Sequence, residues 1–211
     1  MNRLPALTFA SLLLAVSPAH AAAPWYQDWS SIRQAAAGIK TIEALFVQTR
    51  TLKILSRPLV SKGLMAYRRP NDLRWEYRSP LQTLLVVRAG NVRRLIKHDN
   101  AWVVDSSAKL EAMKIVLGEI NLWLDGNFSS SRTFRPELRP AQPGQPAQVE
   151  LKPVDPSLGK IISRIVIVLG EHPGTVNAID IFEEGEGVTH IAFEDAHFGR
   201  AIPDQQFEAP H

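Results

Sequence analysis

Gly63-Leu-Met-Ala-Tyr-Arg-Arg-Pro-Asn-Asp-Leu-Arg-Trp-Glu-Tyr-Arg-Ser-Pro80 decides the fold. A bulky, half-apolar run from Gly63 to Arg68 reads as one strand. Pro70-Asn71-Asp72 is a turn, because proline fixes φ while Asn and Asp bond their own backbone. Arg74 to Tyr77 is a second, aromatic strand. Two strands joined so tightly must run antiparallel.

The same grammar extends outward. Ala44 to Lys53 is rich in β-formers, and a Pro58 loop joins it to Gly63. Leu84 to Arg88, Val92 to Lys97 and Ala101 to Val104 are further short strands, split by Ala89-Gly90-Asn91 and His98-Asp99-Asn100. Val149 to Lys152, Ile161 to Leu169, Val176 to Phe182 and Val188 to Phe193 complete about ten strands. Gly174 and Gly185-Glu186-Gly187 mark turns. Pro136 to Ala147, rich in Pro, Gln and Gly, reads as an exposed loop. Ala201 to Phe207 reads as a tail laid on the sheet.

Two segments break the strand pattern. Trp25, Trp29, Ile32, Ala36 and Ile39 recur at helical spacing, with Gly38 as a stop. Leu110, Met113, Val116, Leu117, Ile120 and Leu124 do the same, with Gly126 after them. A curved antiparallel sheet cannot leave its inner face bare. The helices near 25–38 and 109–125 are its natural cover, and the space between is an expected cavity.

Residues 1–21 read as a secretory signal: Arg3, an apolar run from Leu4 to Val16, and Ala19-His20-Ala21 as a small-x-small cleavage site. The run is too short for a bilayer of about 30 Å. Residues 22–211 are expected to form one soluble periplasmic domain. The sequence has no cysteine, so disulfides, thiol catalysis and an N-terminal lipidated cysteine are excluded. With 24 Lys+Arg against 21 Asp+Glu, the net charge of +3 is too mild to point to nucleic acid.

Catalytic patterns do not emerge. There is no Gly-x-Ser-x-Gly elbow, no phosphate-cradling loop and no His-Glu-x-x-His. His190, Glu194, Asp195 and His197 crowd one strand end without a recognised ligand spacing, and Glu183, Glu184 and Glu186 read as a solvated turn. No catalytic residue, metal or cofactor is expected.

Phe46-Val-Gln48, Gly63-Leu-Met-Ala-Tyr67, Arg69-Pro70, Arg74-Trp-Glu-Tyr77, Pro80, Thr189-His-Ile-Ala-Phe193 and Ile202-Pro-x-x-x-Phe207 carry a resemblance. In order and spacing the chain resembles the periplasmic outer-membrane lipoprotein carriers of the LolA type. The resemblance implies an α+β, mainly β fold: an unclosed half β-barrel, one curved antiparallel sheet, with a helical lid over an apolar cavity. It implies a non-enzymatic monomer that shields acyl chains of lipoproteins, taking them from an inner-membrane ATP-driven exporter to an outer-membrane receptor. A peptide- or protein-binding module on the same sheet is the alternative. Lys53-Ile-Leu-Ser-Arg-Pro-Leu-Val-Ser-Lys-Gly63 is similar to a sub-branch associated with lipid or polyene export, which leaves two cargo classes implied: a lipoprotein, or another acyl- or polyene-bearing lipid.

By the same resemblance, Arg69 would bond lid carbonyls and hold the empty cavity closed, with Arg68 and Arg74 as nearby competitors. Phe46, Met65, Tyr67 and Trp75 from the strands, and Leu117, Ile120 and Leu124 from the lid helix, would form the cargo cavity. Ordinary core packing is the alternative for these apolar residues.

Overall fold

The computed structural model describes residues 26–105 and 118–210. The expected signal, Trp25, Leu110, Met113, Val116 and Leu117 lie outside them.

Among the described residues, eleven strands form one antiparallel sheet. In chain order they are β1 (Thr41–Thr51), β2 (Leu59–Arg68), β3 (Asp72–Ser79), β4 (Thr83–Arg88), β5 (Asn91–His98), β6 (Ala101–Val104), β7 (Phe134–Arg139), β8 (Gln148–Pro153), β9 (Ile162–Leu169), β10 (Val176–Glu183) and β11 (Val188–Phe198). Their spatial order is β6-β5-β4-β3-β2-β1-β11-β10-β9-β8-β7. Two meanders, β1–β6 and β7–β11, meet where the first strand pairs with the last. The outermost strands β6 and β7 do not pair, so the sheet is an unclosed one.

Strand alternation sorts the side chains. Ile42, Ala44 and Phe46 of β1 pair with Tyr67, Met65 and Gly63 of β2. These meet Leu73, Trp75 and Tyr77 of β3, and all lie on the inner face. The intervening Ala66, Arg74, Leu84 and Val86 belong to the outer face. There the tail, whose Asp204–Phe207 turn is a 3-10 helix, lies down as expected. Ile202 and Phe207 bury against Ala66, and Ala209 packs on Leu84, Val86 and Leu95. Three arginines fasten it. Arg68 Nη1 donates to Ile202 O (3.0 Å), Arg74 Nη1 to Gln206 O (3.1 Å) and Arg88 Nη2 to Asp204 Oδ2 (2.8 Å).

The first helix differs from expectation at its start. α1 spans Trp29–Ala37, four residues later than the apolar spacing suggests at its start. Asp28 and Ser31 close a reciprocal capping box there, with Ser31 N 2.7 Å from Asp28 Oδ1. α2 covers 118–124 of the described residues. A third, one-turn helix, α3 (Pro156–Gly159), links β8 to β9.

The Pro136–Ala147 reading needs correction. Its first part is strand β7, and only the remainder is a turn, closed by the Gln142–Gln145 bridge. Pro136 is tolerated because β7 is an edge strand, where a missing N–H can face outward.

Candidate functional site

The inner face is apolar from its Ile42 end to its middle. Ile42, Ala44, Met65, Leu73 and Trp75 from one meander face Ile167, Val176, Ile179 and Phe193 from the other. Residues from β3 through to β9 thus line one cavity, which requires the sheet to wrap around it. Ile120, Trp123 and Leu124 of α2 form the opposite wall. The space measures about 690 Å³ with its open mouth included.

Aromatic rings support the floor. The Phe46 ring stands 4.9 Å from Trp75 and 5.1 Å from Tyr77, the latter edge-on, and Trp75 meets Phe193 edge-on at 6.0 Å. Phe46 lies over Gly63. A Cβ on that glycine would come within 2.5 Å of the ring and 2.0 Å of Glu76 O, so any side chain there would displace the ring or the strand. Past Phe46 the floor turns polar. Tyr77 Oη donates to Gln48 Oε1 (2.8 Å), and Arg50 and Glu183 form a two-pronged ion pair (3.1 and 2.9 Å).

At the other end, Arg69 ties the covering helices to the sheet. Its Nε donates to Ile39 O (2.7 Å) and its Nη2 to Ala36 O (3.1 Å), both carbonyls at the end of α1. The last carbonyls of a helix lack i+4 partners; Ala36 O also accepts from Ile39 N at 3.0 Å. Arg69 Nη1 also stands 2.6 Å from Asp125 Oδ1, just past α2. That oxygen has no aligned hydrogen bond, so the contact is an ion pair. The guanidinium fork thereby reaches both helices at once. Tyr67, fully buried beside it, donates to Pro70 O (3.1 Å). Burial, and then the Asp125 carboxylate, push its phenol up to about 12, while Arg69 pulls it the other way.

The named residues therefore separate. Met65, Trp75, Ile120 and Leu124 line the cavity; Phe46 supports Trp75 from the side; Tyr67 sits in the core under the arginine; Arg69 spans the helix ends. Arg68 and Arg74 turn to the outer face and hold the tail. Sequence reasoning passed over Trp123 and Asp125. Trp123 follows Ile120 by three positions, and that spacing was the available signal. Asp125 lies in the turn after the helix, with nothing in sequence tying it to Arg69.

The His190 cluster disperses: His190 Nδ1 pairs with Asp180 Oδ1 on the next strand at 2.6 Å. Among the described residues, no group of three or more His, Asp or Glu side chains is arranged to hold a metal ion. No described helix is long and apolar enough to cross a membrane.

A family model described as outer membrane lipoprotein carrier protein LolA matches residues 37–210. No curated protein matches the sequence. Among solved structures, the fold is similar to a DUF1329 family protein from Desulfovibrio piger (TM-score 0.46, 10% identity, 85% of this chain and 96% of that one). It is also similar to a LolA superfamily protein from Nitrosomonas europaea (TM-score 0.43, 9% identity, 85% and 97%). A chain of the Pseudomonas aeruginosa MucA/MucB complex matches at TM-score 0.42 and 14% identity, over 87% of this chain and 60% of that one.

Proposed function

The chain belongs to the LolA family of outer membrane lipoprotein carrier proteins, and on that premise we propose that it is a soluble periplasmic carrier of acyl chains. Its cargo is a lipoprotein or a related lipid. The donor is an inner-membrane ATP-driven exporter, and the acceptor is an outer-membrane receptor. The observation that carries this reading is the apolar cavity between the inner face and α2, closed at one end by Arg69.

The physical need is plain. Exposing a chain of about 15 methylenes to water costs roughly 12 kcal/mol, at about 0.8 kcal/mol per CH₂. Lining such as Met65, Trp75, Ile120 and Phe193 removes much of that cost without chemistry. A passive cavity sets no direction, so transfer must follow the relative affinities of donor and acceptor. Arg69 supplies the switch: breaking its contacts to Ala36, Ile39 and Asp125 frees the cover.

The test is titration of a fluorescent acyl probe into detergent-free protein, together with mass spectrometry of lipid extracted from protein purified from its own periplasm. Wild type is expected to bind the probe, and Ala44→Trp, which fills the cavity floor, to bind at least about tenfold more weakly. Arg69→Leu is expected to keep probe binding, expose Trp123 to collisional quenchers and slow handover to acceptor vesicles. An extract without lipid, together with no probe binding, would sink the carrier reading in favour of a peptide-binding module.

A further inference from the structure

The end of the sheet remote from Arg69 carries exposed aliphatic side chains. Ile54 is 89% exposed, Leu81 77%, Ile161 64% and Leu59 51%, with Val60 and Leu55 also open. The topology gathers them. Arg50 opposite Leu59 closes the β1–β2 hairpin, and Lys62 opposite Ser79 brings the β3–β4 turn with Leu81 to the same end. Thr51 opposite Val188 adds the β10–β11 turn, and Glu184 N bonds Ile161 O at 3.1 Å beside it. Leu59 and Val60 are neighbours on β2 and so point to opposite faces. Both are exposed, so the hairpin projects past the body of the sheet.

Charge says what this projection suits. Residues 52–62 contain Lys53, Arg57 and Lys62 and no Asp or Glu. Lys53 pairs with Glu186 at 3.0 Å, both side chains more than 70% exposed, while Arg57 and Lys62 have no ion pair among the described residues. Arg78 and Lys160 are exposed at the same end, where Asp155, Glu184 and Glu186 are the exposed acidic residues. In a two-fold pairing centred on this tip, Arg57 and Lys62 of one copy would face Arg57 and Lys62 of the other. A protruding aliphatic tip whose own hairpin carries cations and no acidic residue instead matches the interface of an anionic bilayer, which takes up apolar side chains beneath its headgroups and attracts Lys and Arg above them.

We propose that the β1–β2 hairpin end is a membrane-contacting rim that inserts Ile54, Leu55 and Leu59 into anionic phospholipid surfaces, with Arg57 and Lys62 at the headgroups. It goes beyond acyl carriage and stands or falls separately from it, because the rim lies outside the cavity lining.

The experiment is co-sedimentation of the mature chain with phosphatidylglycerol-containing vesicles and with pure phosphatidylcholine vesicles. Wild type is expected to partition to the anionic vesicles and to release in high salt. Ile54→Ser with Leu55→Ser should lower that partition about tenfold, and Arg57→Gln with Lys62→Gln should erase the preference for anionic lipid. All of these variants should bind the acyl probe as wild type does. Because the chain has no cysteine, an Ile54→Cys variant carries one environment-sensitive dye, whose emission should shift to the blue on anionic vesicles. Absence of wild-type binding to anionic vesicles overturns the proposal. So does undiminished binding by the serine variant, or a rim that governs only self-association in sedimentation velocity.

Discussion

Tyr67 lies where the buried sheet meets the Arg69–Asp125 ion pair. Its phenol is buried, donates to Pro70 O and lies near the Arg69–Asp125 pair. With its pKa pushed up from 10 to about 12, chiefly by burial, the neutral form is favoured in the folded chain. Its contribution to stability is therefore fully present below pH 10 and is lost as pH rises through about 12. The difference absorbance between wild type and Tyr67→Phe should show phenolate appearing near pH 12 in the native protein and near pH 10 in urea. A native midpoint near 10 would mean the phenol is wetted. Residues of this kind were only partly legible. Met65 and Trp75, which the family resemblance named for the cavity, line it, and alternation along their strands is the physical reason they share a face. The bond from Arg69 to two helix-end carbonyls joins positions about 30 residues apart, and no local pattern encodes it; only the family resemblance suggested it. Asp125 had no such guide.

At the scale of elements, the fit of α2 on α1 depends on a close approach. Gly126 ends α2 with φ of +65°, a left-handed conformation that favours glycine. A Cβ there would lie 2.9 Å from Arg33 Cα and Ile32 O and 3.0 Å from Ala36 Cβ. Gly126→Ala should therefore lift the end of α2 from α1 and cost about 1–3 kcal/mol in urea unfolding. A loss below about 0.5 kcal/mol would mean that the helices are free to separate there. Glycine after a helical stripe was readable in sequence as a stop; its second use, admitting another helix, was not. Strand β7 went unread for the opposite reason. Pro136 argues against a strand in general, and only its place at the sheet edge makes it acceptable. That place is a property of topology, which ten-odd short strands of similar character do not disclose.

Across the whole molecule, α2 lies over the inner face of the sheet and the tail over the β2–β5 part of its outer face. Phe207 is 1% exposed, sits under the Arg68 guanidinium at 4.8 Å and fixes the tail to Ala66. Phe207→Ala should lower stability by about 3 kcal/mol, roughly 6–12 °C in Tm for a chain of this size, while acyl-probe binding at 25 °C stays unchanged because the cavity lies on the other face. Loss of binding without loss of stability would show that the two faces communicate. The pairing of β1 with β11 has a temporal consequence. A chain that emerges from a ribosome or a translocation pore with its N-terminus first can zip β1 through β6 early. Yet β1 keeps a bare edge until the final strand appears, and the tail that seals the outer face comes later still. Such a polypeptide completes itself only when almost all of it is out, and until then it offers the raw edge of an unfinished sheet to whatever chaperone attends it.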